Sequence, residues 1–266
     1  ALLACRKSGA WSDGALKELL RGMERREAAL ASRLCYGVLQ NRMLLDWQLA
    51  RFTRLEKLQP AVHEILRLAL YQLTLADKIP ASAAVNEAVE QAKRFANPQA
   101  ARLVNAVLRN IDRRRGEPLI FSDPLEGLSV QTSHPRALVE RMTALLGKEE
   151  AERFLHANNE PIPTVIQTNT LKTDAATLRA SLEGEGVRVT PHPWLADCFE
   201  ISGTGSLESL RAWREGRFMV QDAAAKLAAL AAAPKAGDFV IDACAAPGGK
   251  SFAMAMCMEG QGKILS

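Results

Sequence analysis

No apolar run in the 266 residues approaches the roughly 20 needed to cross a bilayer; the longest are short and alanine-rich, as at Leu227 to Pro234, so a soluble chain is expected. No charged-then-apolar signal segment opens the sequence either. The five cysteines, Cys5, Cys35, Cys198, Cys244 and Cys257, form no C-x-x-C pair and no disulfide-dense pattern, which points to a reducing, cytoplasmic setting. The four histidines, His63, His134, His156 and His192, stand far apart, and no metal site is expected. A single glycine is missing from a telling place. Residues Asp242 to Ser251, DACAAPGGKS, end like a phosphate loop, G-x-x-x-x-G-K-[ST], but Cys244 occupies the position of that motif's first glycine. Pro247 also removes a backbone N–H that such a loop aims at phosphate oxygens. The phosphate-loop motif therefore fails at its first turn, and another ligand must be considered.

What is present is an ordinary globular composition, 48% hydrophobic, with room for two or three domains. The net charge of +4 conceals a division: residues 1–116 carry 20 Lys+Arg against 11 Asp+Glu (+9), and residues 117–266 carry 14 against 19 (−5). Basic clusters at Arg21, Arg25 and Arg26, and at Arg109, Arg113, Arg114 and Arg115, suit a polyanion-binding surface. They equally suit a solvated helix face with arginines favoured near a helix end.

Residues 1 to about 115 read as helices. In PAVHEILRLALYQL, Val62, Ile65, Leu66, Ala69 and Leu73 share one face and Pro60 sits where a helix start tolerates it. PASAAVNEAVEQAKRFANP places Val85, Ala88, Val89, Ala92 and Ala96 together, and QAARLVNAVLRNIDRRRGE turns Leu103, Val104, Val107, Leu108 and Ile111 inward. A helical bundle is expected over 1–133, with 117–133 as an extended linker because it holds two prolines, Gly127 and no helical period. From 134 to 215, two helices, an alternating strand in TVIQTNT, a helix capped at Thr173-Asp174 and short strands at Val187 to Thr190 and Cys198 to Ile201 suggest a small α+β, ferredoxin-like domain. From 216 to 266, an alanine-rich helix, the apolar strand Phe239 to Ile241, the small-residue loop, a helix from Phe252 and a strand at Lys263 to Leu265 make the first unit of an α/β, Rossmann-like sheet.

In such a unit ligands bind beyond the strand's carboxyl end, where Asp242 to Ser251 falls. Ala243, Ala245, Ala246, Gly248 and Gly249 keep side chains out of the way, and the glycines permit positive φ. The helix N-terminus after Gly249 offers free N–H groups to a carboxylate as well as to a phosphate. DACAAPGGK, with RFMVQD upstream, resembles the S-adenosylmethionine site of RNA cytosine-5 methyltransferases. LRLALYQL, IPASAAVNEAVEQAK and LVNAVLRNI resemble the NusB-like domain of the bacterial RsmB (Fmu/Sun) small-subunit ribosomal RNA methyltransferase family, and HANNEPIPTVIQTNTLKT resembles its middle domain.

The resemblance implies that Cys244, Ala245, Ala246, Pro247, Gly248, Gly249 and Lys250 contact S-adenosyl-L-methionine, with Gln221 and Asp222 lining its far side. It implies methylation of carbon 5 of a cytosine in small-subunit ribosomal RNA, RNA binding by the helical domain, and a monomer without metal or membrane partner. The family's nucleophilic and releasing cysteines lie in Pro-Cys and Thr-Cys motifs well downstream of the cofactor loop, so no catalytic residue is assigned here. The 266 residues are expected to be part of a longer enzyme and to be inactive by themselves. The other readings are a non-catalytic RNA-binding protein with a vestigial cofactor loop and a nucleotide triphosphatase, the latter opposed by the missing glycine.

Overall fold

The computed structural model describes residues 1–8, 11–76 and 79–266, without the side chains of Lys7, Ser8 and Arg25; the Arg25 member of the first basic cluster thus lies outside the described side chains. The chain divides into two spatial units, Ala1–Glu160 and Pro161–Ser266. In the first, α1 (Leu2–Ser8), α2 (Ser12–Leu19), α3 (Arg25–Gln40) and α4 (Arg42–Ala50) lead to α5 (Pro60–Thr74). Then come α6 (Ala81–Phe95), α7 (Pro98–Arg113), α8 (Pro124–Thr132), α9 (Arg136–Leu146) and α10 (Lys148–Ala157).

The hub is α5. Val62, Ile65, Leu66, Ala69, Leu70 and Leu73 are all buried, and α3, α4, α6 and α7 pack around them. A helix apolar on nearly every side must be surrounded. Toward α5 and α7, α6 turns Ala84, Val85, Ala88 and Ala92, mostly small residues that permit close approach. At the start of α7 the Asn97 side chain accepts from the Ala100 N–H at 2.8 Å, with Pro98 in the first turn. The buried face of α7 is Ala101, Val104, Val107, Leu108 and Ile111; Leu103, expected inside, is exposed because Ala101 holds the i, i+3, i+7 line with Val104 and Leu108.

Residues 117–133, expected to be an extended linker, instead contain α8. Asp123 caps it by accepting from the Leu125 N–H at 2.9 Å, and Pro124 starts it, so a proline that reads as a breaker is a helix beginning. Of its buried residues, Gly127, Ser129, Val130 and Thr132, only Val130 is a sizeable apolar one, so no apolar period shows. Thr132 Oγ1 donates to the Leu128 carbonyl and Ser129 Oγ to the His134 carbonyl, each at 2.7 Å. Past α8, α9 and α10 belong to the first spatial unit. Asn159 Nδ2 donates to the Thr132 carbonyl at 2.8 Å, and Gln40 Nε2 donates to the Asn159 carbonyl at 2.8 Å.

The second unit opens with β1 (Thr164–Thr168), α11 (Ala175–Gly184), β2 (Arg188–Pro191), β3 (Cys198–Ser202), α12 (Arg211–Arg214) and β4 (Phe218–Val220). The strand order is β2-β3-β1-β4, with each neighbouring pair antiparallel. With helices after β1 and β3, this is the split β-α-β, ferredoxin-like arrangement. Ile166, Leu178, Leu182, Val189, Phe199, Ile201 and Phe218 form its core. Asp174 caps α11 by accepting from the Thr177 N–H at 2.9 Å.

The last part comprises α13 (Ala223–Ala232), β5 (Phe239–Ile241), α14 (Gly249–Cys257) and β6 (Lys263–Leu265), with β5 and β6 parallel. Ala229 of α13 packs on Ala253 and Met254 of α14, over Val240 and Ile264 of the strands. Gly262 must be glycine: its φ is +121°, and a Cβ there would lie 2.5 Å from the Asp238 carbonyl oxygen. The chain thus combines a helical bundle, a ferredoxin-like sheet and the opening of an α/β sheet, as expected.

Candidate functional site

The loop between β5 and α14 is organised by one carboxylate. Asp242 follows β5 directly and is nearly buried. Its Oδ1 accepts from the Cys244 N–H at 3.1 Å and its Oδ2 from Ser251 Oγ at 2.6 Å, so it ties the loop's first turn to the start of the helix. The Ser251 hydrogen bond, assisted by the Cys244 N–H and the Lys250 charge, holds this carboxyl below the usual carboxylate range.

Within that frame the backbone is laid open. The Ala246–Pro247 peptide is cis, and Gly248 precedes α14 with φ +112°, a conformation L side chains rarely adopt. Gly248 makes no side-chain cap, which leaves the first N–H groups of α14 pointing out of the helix end. Positive φ belongs to Gly248 alone of the glycine pair; Gly249 serves a different need. A Cβ on Gly249 would stand 3.3 Å from Nε2 of Gln221 and 3.7 Å from Cε of Met219. Gln221 is buried, and neither Nε2 nor Oε1 has a hydrogen-bond partner among the described residues.

A cleft of about 540 Å³ opens on the loop, lined by Ala245, Ala246, Pro247, Gly248, Ser251, Phe252, Ala255, Ile264 and Ser266. Four of the seven residues singled out from the sequence, Ala245 to Gly248, therefore line one space. Gly249 and Lys250 form the first turn of α14, and Cys244 is exposed with its N–H directed to Asp242. Asp222 caps α13, accepting from the Ala224 N–H at 2.8 Å, while Gln221 turns inward. Ser251, Phe252 and Ala255 were not singled out, although their i, i+1, i+4 spacing on a helix beginning at Gly249 places them on one side. The other thiols offer little: Cys35 and Cys198 are buried, and burial pushes both thiols up.

The basic cluster at the end of α7 does not act as one patch. Arg115 Nη1 donates to the Leu73 carbonyl at 2.9 Å and pairs with Asp112 at 3.4 Å, so it closes the end of α5. Arg109 bonds the Asn105 side chain on its own helix at 2.9 Å. Arg113 is exposed, and Arg114 lies 5.7 Å from the centre of the Phe52 ring.

Residues 1–113 match the NusB family, and residues 134–208 match the RsmF/B-like methyltransferase ferredoxin-like domain. The chain is 35% identical over 271 residues to the probable ribosomal RNA small subunit methyltransferase B of Bacillus subtilis strain 168, covering 100% of this chain and 60% of that protein. It is 34% identical over 236 residues to the ribosomal RNA small subunit methyltransferase B of Vibrio cholerae serotype O1, covering 85% of this chain and 52% of that protein. It therefore spans little more than half the length of these curated relatives. The crystal structure of PH0851 superposes with a TM-score of 0.75 at 24% identity, over 99% of this chain and 61% of that one, a likeness of fold.

Proposed function

This chain belongs to the RsmB (Fmu/Sun) family, and on that footing we propose that its protein methylates carbon 5 of a cytosine in small-subunit ribosomal RNA, in the cytoplasm and as a monomer. S-adenosyl-L-methionine would supply, when bound, an activated methyl group. The part played by this chain is to hold that cofactor and to bind RNA.

The observation that carries the cofactor assignment is the open floor of Ala245 to Gly248 under the uncapped start of α14; beside it, outside the cleft lining, the buried amide of Gln221 stands against Gly249 without a partner. A buried amide without partners costs about 1–3 kcal/mol, a cost that a ligand offering both a donor and an acceptor removes. Ala245, Ala246, Pro247 and Gly248 give a floor on which a flat group can lie. Cys244, Gly249 and Lys250 flank it, and the free N–H groups at the start of α14 suit the carboxylate of an amino acid. Asp242, ionised and tied to Ser251, keeps the loop in this shape.

Carbon 5 of cytosine is a weak nucleophile, and adding a thiolate to carbon 6 activates it. Cys244 belongs to the loop that would face the cofactor, and Cys35 and Cys198 are buried. The family resemblance implies a nucleophilic cysteine well downstream of the cofactor loop, so the thiolate role is given to none of the five cysteines here. The excess of basic residues over 1–116, +9, supports RNA as the partner of the helical unit.

Calorimetry tests the cofactor assignment. S-adenosylmethionine or S-adenosylhomocysteine should bind, ATP at equal concentration should not compete, and Gly249→Val should abolish binding by driving a branched side chain into Gln221. Binding of ATP–magnesium with no response to either methionine compound would overturn the methyltransferase reading.

A further inference from the structure

The ends of α4 and α7 enclose a recess of about 350 Å³ in the helical unit, lined among others by Arg51, Phe52, Arg114, Arg115 and Glu117. Two of its guanidinium groups meet at one ring: Arg51 lies 5.9 Å and Arg114 5.7 Å from the centre of Phe52. Arg51 also lies 5.5 Å from the centre of Trp47, whose ring packs on Phe121 at 4.5 Å. Aromatic faces attract guanidinium groups and hold their planar forks in place while leaving the N–H edges free.

The charge here is not balanced. Glu117 approaches Arg51 only to 3.7 Å, with both side chains well exposed, a geometry worth little. Arg115 is already committed to the Leu73 carbonyl and Asp112. Arg114 has no carboxylate partner among the described residues. Arg51 and Arg114 stand at the C-terminal caps of α4 and α7, where the helix dipole favours a cation, but neither is tied to a helix-end carbonyl as Arg115 is. Two like charges lining one recess repel each other, and an anion bound between them offsets that repulsion.

We propose that Arg51 and Arg114, held on Phe52, form a binding site for a phosphate group of an RNA strand. This rests on the RNA-binding reading of the helical unit and places one contact of that surface. A guanidinium fork takes phosphate oxygens in pairs, and the volume of the recess suits one phosphate with its sugar. Of the Arg113–Arg115 run, only Arg114 takes part, and its partner stands more than sixty positions upstream.

The test measures binding of the 266-residue chain to a fluorescein-labelled single-stranded oligoribonucleotide by anisotropy, over a range of salt concentrations. Arg51→Gln with Arg114→Gln should weaken binding at least about tenfold and flatten the slope of log K against log salt by about 0.7, the loss of one phosphate contact on a single strand. Arg102→Gln with Arg109→Gln, on the same helix outside the recess, should leave most of the affinity in place. Glu117→Gln removes the one competing carboxylate and should tighten binding about twofold, a gain that misfolding cannot imitate. Wild-type binding that the double substitution leaves unchanged in affinity and slope overturns this site while leaving RNA binding intact. No binding by the wild type overturns the RNA reading and this site with it. Displacement of the oligonucleotide by inorganic phosphate at comparable concentration would make the recess a free-phosphate site and overturn the assignment to a strand.

Discussion

The amide of Gln221 stands 3.3 Å from the point a Cβ on Gly249 would occupy, so the last turn before α13 and the first turn of α14 meet at a buried group with no partner of its own. Stability and ligand binding should therefore part company at this residue. Gln221→Leu fills a similar volume without the unpaired amide and should raise the unfolding free energy by about 1 kcal/mol. The same change should weaken S-adenosylmethionine binding at least about tenfold. Thermal unfolding and calorimetry on the one variant check both; a variant that binds normally would remove Gln221 from the site.

Ser251→Ala removes the hydroxyl that closes the loop onto Asp242 and should weaken cofactor binding roughly tenfold while leaving secondary structure unchanged. The Asp242 carboxyl is held low in the folded chain, so the ionised, loop-closing form is fully present above the usual carboxylate range. Binding should stay constant from neutral pH to well below pH 5 and fall as Asp242 takes up its proton. In Asp242→Asn that acid limb should disappear, which a pH series of binding isotherms would register.

In the helical core, Asp46 Oδ1 meets His63 Nε2 at 2.8 Å and Arg67 Nε at 2.7 Å. Burial alone would raise the Asp46 carboxyl, but the hydrogen bonds from His63 and Arg67 outweigh it and hold the group at about 2. A depressed carboxyl contributes stability above its unfolded value near 4 that disappears as pH falls toward the folded value, on the order of 2 kcal/mol here. Urea midpoints should drop between about pH 4 and 2 in the wild type and change much less in Asp46→Asn.

Two glycines set opposite expectations. Gly262→Ala forces a Cβ to within 2.5 Å of a backbone oxygen at φ +121° and should cost on the order of 2–4 kcal/mol, seen as faster amide exchange in β5 and β6. Gly184→Ala, at the end of α11 with nothing within 4 Å of the added carbon, should be neutral or stabilise by up to about 1 kcal/mol. Equal effects would mean that the close approach at Gly262 relaxes without cost.

The sequence speaks most clearly where apolar spacing decides burial. The α5 helix was legible because its period and Pro60 agree, and β5 because three apolar residues precede a small-residue turn. The loop was legible from composition, since alanine and glycine in that place leave only backbone to meet a ligand. Other features depend on distant partners. The burial in α8 is of Gly127, Ser129 and Thr132, whose fit is set by Phe121 and His134 and not by a period. Gln221 looks like any polar residue after a strand until its lack of partners is seen. In the same way, the three arginines at 113–115 look alike in sequence, yet a carbonyl in α5 and a ring after α4 give Arg115 and Arg114 different work.

The position of β4 has a practical consequence for dissecting the protein. Phe218, Met219 and Val220 lie against β1, with Ile166 opposite Val220, and Phe218 fills the core beneath. Cutting the chain at 215/216 to isolate the ferredoxin-like segment would strip one side of β1 bare and leave a hole where Phe218 sat. Such a fragment would present an unpaired strand edge to its own copies and should precipitate on expression. Extending the cut past residue 222 keeps the sheet closed, but it carries Gln221 away from Gly249. The short run from Phe218 to Asp222 therefore belongs to both halves of the second unit at once, and no expression boundary between them leaves both intact.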